Sequence, residues 1–135
     1  MKSETGSCRC GGIAYKLNSE KKNVVNCHCN FCRSHSGAAF SSYVAVPYNS
    51  LKIIKGERLI TEYTFQNGKK HFCSICGTPL FNINNKYPNA CMIYLGTLND
   101  ISNVVPRRNI WCESKLDWID NISSIKSLGQ GIGRK

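Results

Sequence analysis

Residues 73–81 read CSICGTPLF. Cys73 and Cys76 are spaced so that both thiolates can turn toward one ion. Gly77, directly after the second cysteine, permits the left-handed backbone that such a knuckle needs. The alternative for a C-x-x-C pair is a redox site on a thioredoxin-like fold, which requires βαβ patterning nearby. Here 70–73 and 78–83 read instead as two strands, so the stretch predicts a β-hairpin closed by a metal. The fold is expected to be mainly β.

Working outward, the rest of the chain carries similar strand signals. Residues 8–10 and 13–17 flank a Gly11-Gly12 turn and predict a hairpin. Residues 24–29 read as extended, and 39–46 (AFSSYVAV) as a strand stopped by Pro47. Segments 51–55 and 59–65 flank a Lys-Gly-Glu turn, and Asn67-Gly68 marks the next turn. The apolar run 90–95 predicts a buried strand, and 109–112 another. Helix is scarce: one turn is expected over 31–36 and one over 113–118, with Ser114 as its cap. The final SLGQGIGRK reads as a flexible basic tail. Its GQGIG lacks the preceding strand and following helix of a phosphate loop. The expected organisation is one zinc-binding domain over 1–120 and a basic C-terminal segment over 121–135.

Composition supports this. A chain of 135 residues with 41% hydrophobic content suits one globular domain, small enough for a metal to help stabilise it. No run approaches the roughly 18 apolar residues of a membrane span. MKSETGSCRC has no apolar core of a secretory signal, so a cytoplasmic location is expected. Nine cysteines in a reducing compartment point to metal binding before disulfides. The formal charge of +10 invites a nucleic-acid reading. Seven thiolates on two zinc ions would subtract seven charges and add four, leaving +7. Lys and Arg occur in runs no longer than two, at 21–22, 69–70 and 107–108, and no base-stacking signature accompanies them. A solvated basic surface is the expected reading.

Three cysteine clusters carry the chemistry. On an extended strand Cys8 and Cys10 would project to one side, and two such thiolates with a C-x-x-C pair complete a closed, structural four-thiolate zinc site. Cys27, Cys29 and Cys32 offer three ligands, and three ligands with an open position are the mark of catalytic zinc. Spacing does not fix which clusters pair. A fourth ligand could come from His28, His35, Cys91 or Cys112. His28 alternates away from its neighbours, and His35 reaches only if a helical turn forms.

GSCRCG at 6–11, CHCNFCR at 27–33, GAAF at 37–40, CSICGTPLF at 73–81 and NIWCESKLDW at 109–118 resemble the glutathione-dependent formaldehyde-activating enzyme family, to which centromere protein V is also similar. The resemblance implies an Mss4-like β-tent fold of small antiparallel sheets stapled by a four-cysteine zinc site. It implies two zinc ions: a structural one on Cys8, Cys10, Cys73 and Cys76, and a catalytic one on Cys27, Cys29 and Cys32 whose open position takes water or a thiol. It also implies the addition of glutathione to formaldehyde, giving S-(hydroxymethyl)glutathione, or the reverse reaction of a carbon–sulfur lyase. The implied partners are a small thiol such as glutathione and a small aldehyde.

Zinc favours sulfur, so an open position suits a substrate thiol. Three thiolates on Zn²⁺ already carry a net −1, and a fourth makes it −2. Arg33, directly after Cys32, is the expected source of compensating charge. Ser34 and Ser36 are expected to cap turns, His71 to be structural, and Cys91 to be an inert buried thiol. Trp111, Trp118 and Phe81 are expected to form core or pocket wall. The alternative carried forward is a non-catalytic zinc module that binds a protein partner or nucleic acid, its second site closed by a protein group. The sequence specifies no oligomeric state.

Overall fold

The computed structural model describes residues 4–21 and 23–133; Lys22 of the predicted basic pairs and the last two residues of the predicted tail lie outside the described residues. Ten strands form within it: β1 (Glu4–Ser7), β2 (Ala14–Leu17), β3 (Val24–Cys27), β4 (Ser41–Pro47), β5 (Leu51–Lys55), β6 (Ile60–Phe65), β7 (Gly68–Cys73), β8 (Pro79–Asn84), β9 (Ala90–Tyr94) and β10 (Arg108–Ile110). One α-helix, α1 (Asn30–Ser36), and several 3₁₀ turns complete it. The mainly-β expectation holds.

Two sheets are present among the described residues. One is three-stranded, in the order β1-β2-β5, and the other seven-stranded, in the order β10-β3-β4-β9-β8-β7-β6. All pairings are antiparallel except β10 on β3. The period-2 alternation of strand side chains divides the larger sheet into two faces. Val24, Val44, Val46, Cys91 and Ile93 point to one face, where they meet Ile13, Tyr15 and Leu17 around the smaller sheet and form the main core. Val25, Cys27, Tyr43 and Tyr94 belong to a second cluster that includes Cys32 of α1. The large sheet thus carries a conventional core on one side and a cysteine-bearing site on the other.

The structure revises several local expectations. Cys8 and Cys10 are not on a strand: the hairpin arms are Glu4–Ser7 and Ala14–Leu17, and both cysteines lie in the connection. That connection is a tight turn, with Gly11 N–H on the Cys8 carbonyl (3.1 Å) and Gly11 at φ +79°. It frees the Ile13 amide to donate to Cys8 Sγ (3.3 Å). The segments around the Lys-Gly-Glu turn do not pair with each other; there the chain passes from the small sheet to the large one. Gly56 makes this passage at φ +77°, so close to Gly12 that a Cβ would stand 2.0 Å from the Gly12 carbonyl oxygen.

The helix over 31–36 is slightly longer than expected and ends at Gly37 (φ +74°), whose N–H bonds the Arg33 carbonyl. Instead of a helix over 113–118, 3₁₀ turns form at Cys112–Ser114 and Asp117–Ser124, and Ser114 caps neither. Trp111 and Trp118 are not core: they are 58% and 46% exposed, and Trp111 has a left-handed φ of 59°. Phe81 is buried in the main core, as expected. Among the described residues, no helix is long and apolar enough to cross a membrane.

Candidate metal centres

The hairpin β7–β8 carries the first cluster. Its tip closes through Gly77 N–H on the Cys73 carbonyl (2.8 Å) and Cys73 N–H on the Thr78 carbonyl (3.0 Å), with Gly77 at φ +78° as the sequence required. The amides of Ile75 and Cys76 then point at Cys73 Sγ (3.4 and 3.5 Å). Arg9 N–H reaches across to Thr78 Oγ1 (3.0 Å), tying the 8–13 turn to this tip. Cys8, Cys10, Cys73 and Cys76 converge, with their sulfurs all within 4.8 Å of one another. None is in a disulfide. Cys8 and Cys10 are 3.6 Å apart, and Cys10 and Cys73 3.9 Å. Tetrahedral zinc with bonds of about 2.3 Å holds its sulfurs about 3.8 Å apart, so the set fits such an ion.

The second cluster sits on the other face of the large sheet. Cys27 ends β3, and Cys29 is the N-cap of α1, its Sγ accepting the Cys32 amide (3.2 Å). One helical turn returns Cys32 over Cys27, with the two sulfurs 3.2 Å apart; Cys27 and Cys29 are 3.6 Å apart. The hydrogen bond from Cys32 draws the Cys27 thiol down to about 6, while the same bond and burial hold Cys32 well above the usual thiol range. The three sulfurs lie within 4.8 Å of one another and are soft donors suited to a thiophilic ion, with Cys27 and Cys32 closer together than the spacing of about 3.8 Å that tetrahedral zinc sets.

No fourth protein ligand joins them among the described residues. His28 is buried facing away: its Nε2 lies 3.1 Å from Asn109 Oδ1, and its Nδ1 is buried without a hydrogen-bond partner. His35 packs its ring on Phe31 (4.0 Å) and faces Tyr63 and Phe65. Cys91 is sealed in the main core, where burial pushes its thiol up to about 12. Cys112 is exposed and bonds the Asn109 carbonyl (3.3 Å).

Arg33 lies beside the site, but its guanidinium binds oxygens. One Nη donates to the carbonyls of His28 (2.7 Å) and Ser114 (2.6 Å), and the other to Asn30 Oδ1. It fastens the cysteine loop to the segment that follows β10. Ser34 and Ser36 satisfy local backbone groups, as expected. His71 stacks on Phe81 (4.1 Å, 11°) and pairs with Glu62, a structural arrangement.

Sequence reasoning missed three polar side chains here. The Tyr43 hydroxyl donates to Cys32 Sγ (3.2 Å). Asn82 Nδ2 donates to the hydroxyls of Tyr43 (3.3 Å) and Tyr94 (3.0 Å). The two rings meet edge to face at 4.9 Å. Burial, first of all, raises the Tyr43 phenol far above its usual range, so it remains a proton donor. The alternation in SSYVAVP does place Tyr43 on the face of Ser41, the partner of Cys27. Nothing in the sequence says that Asn82 and Tyr94 arrive beside it.

The family model for the glutathione-dependent formaldehyde-activating enzyme matches residues 3–114. The chain belongs to the glutathione-dependent formaldehyde-activating enzyme family. The matched region contains both cysteine clusters and ends before the Asp117–Ser124 turn. A crystal structure of a Rhodobacter sphaeroides protein is similar to this family member with a TM-score of 0.65 and 20% identity, covering 78% of this chain and 98% of that one. That likeness supports the fold.

Proposed function

We propose that Cys27, Cys29 and Cys32 are the catalytic ligands of a zinc ion whose fourth position takes a small thiol such as glutathione. The protein adds that sulfur to a small aldehyde such as formaldehyde, or runs the reverse reaction as a carbon–sulfur lyase. A second zinc ion on Cys8, Cys10, Cys73 and Cys76 is structural. The observation that carries this reading is the contrast between the clusters: four sulfurs converge in one, and three with no fourth protein donor among the described residues in the other. Family membership supplies the substrate class.

When bound, the ion supplies the positive charge that keeps an incoming thiol deprotonated and can polarise a carbonyl oxygen. The chain's own residues hold the site ready. The Cys32 amide donates to Cys29 Sγ and the Tyr43 hydroxyl to Cys32 Sγ, so two of the three sulfurs are oriented by groups that α1 and β4 fix. In the forward direction a sulfur–carbon bond forms and the carbonyl π pair moves to oxygen. The thiol's proton ends on that oxygen. The strongly basic chain suits an anionic thiol such as glutathione.

The test combines metal analysis with exchange-rate measurement of glutathione and formaldehyde by NMR. Two zinc ions per chain and a rate above the spontaneous one are expected. Two bound ions with no acceleration would favour the non-catalytic module. That alternative draws on the exposed Trp118, Ile122, Ile125 and Leu128 as a surface for a protein partner.

A further inference from the structure

Two sulfurs of the three-cysteine cluster receive a donor from outside the thiols. Cys29 takes the Cys32 amide at 3.2 Å. Cys32 takes the Tyr43 hydroxyl at 3.2 Å. The first donor is backbone and cannot be removed by substitution, whereas the second is a side chain from a different strand. The phenol is not there by default. Tyr43 stands opposite Tyr94 in the β4–β9 register, and both rings are buried. Asn82 Nδ2 occupies an acceptor site on each hydroxyl oxygen, leaving the Tyr43 proton to point at sulfur. The cost of this arrangement is visible: Asn82 Oδ1 is buried with no partner. Turning the amide over would satisfy that oxygen by accepting from the tyrosines, and would draw the Tyr43 proton away from Cys32.

We propose that Tyr43, oriented by Asn82, is the positioning residue of the three-thiolate centre. It takes negative charge off Cys32 so that the centre can accept a fourth, anionic sulfur. The inference rests on the metal-site reading above and deepens it. It also moves the charge-compensating role from Arg33, which binds carbonyl and amide oxygens, to a neutral donor in direct contact with a ligand. Partners of this kind, bonded to metal ligands, commonly change metal affinity or activity about 10- to 100-fold.

The test compares Tyr43→Phe with Tyr94→Phe. Each removes one buried hydroxyl from the same pair, but only the first removes a bond to sulfur. Cobalt(II) replaces zinc, and the sulfur-to-cobalt charge-transfer absorption of this centre is read as the part that Cys27→Ser abolishes. In Tyr43→Phe this band should move to lower energy, because the Cys32 lone pair loses its stabilising donor. The second ion's affinity should fall about 10-fold or more. Tyr94→Phe should leave the band in place. If Tyr43→Phe does not fold, Asn82→Ala serves, with a smaller shift of the same sign. An unmoved band and unchanged affinity in a folded variant overturn the proposal, and so does an equal shift in Tyr94→Phe. A parent chain that binds only one metal overturns the metal-site reading itself, and this inference with it.

Discussion

The two cysteine clusters use the same ligand chemistry and are built in opposite ways. The four-cysteine cluster joins a turn of the small sheet to a hairpin tip of the large one, across 63 residues from Cys10 to Cys73. The three-cysteine cluster is local, spanning the end of β3 and one turn of α1. Ligands drawn from distant segments make metal binding and folding one event, since the unfolded chain has no preformed site. Ligands drawn from one short segment can lose an ion while the sheet beneath them persists. The proposed division of labour assigns the closed, long-range set to structure and the open, local set to exchange of a ligand.

The largest expected effect tests the distant set. Cys73→Ser should cost most of the stability, because structural zinc contributes on the order of 10 kcal/mol at neutral pH. A thermal melt followed by circular dichroism should show no cooperative transition at ordinary temperatures. Cys27→Ser should remove one zinc and all acceleration of the glutathione–formaldehyde reaction, yet keep stability within about 2 kcal/mol of the parent. If it unfolds as completely as Cys73→Ser, the division between the clusters fails. Arg33→Ala sharpens the division, because it cuts the tie between the local loop and Ser114. A loss of about 1–3 kcal/mol is expected, with faster amide exchange over 109–114 and both metals retained. Loss of the second ion instead would show that Arg33 acts on the sulfurs. The smallest effect belongs to Cys112→Ser, which should change stability by no more than about 0.5 kcal/mol and leave the metal content unchanged.

What the sequence disclosed follows the range of each interaction. The 73–77 knuckle was legible because its geometry is written in five consecutive residues, including the glycine its backbone needs. Whether the trio had a fourth protein ligand was not legible in this way: spacing leaves His28, His35, Cys91 and Cys112 open, and the fold turns them to other partners. Cys8 and Cys10 were correctly seen to converge but for the wrong cause, since a C-x-C pair can face one ion from a strand or from a tight turn. The parallel docking of β10 on β3 and the meeting of Tyr43, Asn82 and Tyr94 depend on which strands become neighbours, and strand periodicity carries no partner information. Arg33 was read through its charge and its nearness to Cys32, yet the His28 and Ser114 carbonyls hold it. Aromatics usually bury large areas, which makes core or pocket wall the expectation for Trp111 and Trp118. In the structure both side chains stay about half exposed.

The 63-residue gap also sets an order of events at the ribosome. Translation at about 5–20 residues per second makes Cys27, Cys29 and Cys32 available several seconds before Cys73 and Cys76. The nascent chain therefore presents a finished three-thiolate chelator while Cys8 and Cys10 still await their partners. Under the proposed two-zinc reading, an ion that reaches the chain at this stage finds a full set of ligands only at the trio, and the four-cysteine site can fill only once Cys73 and Cys76 arrive.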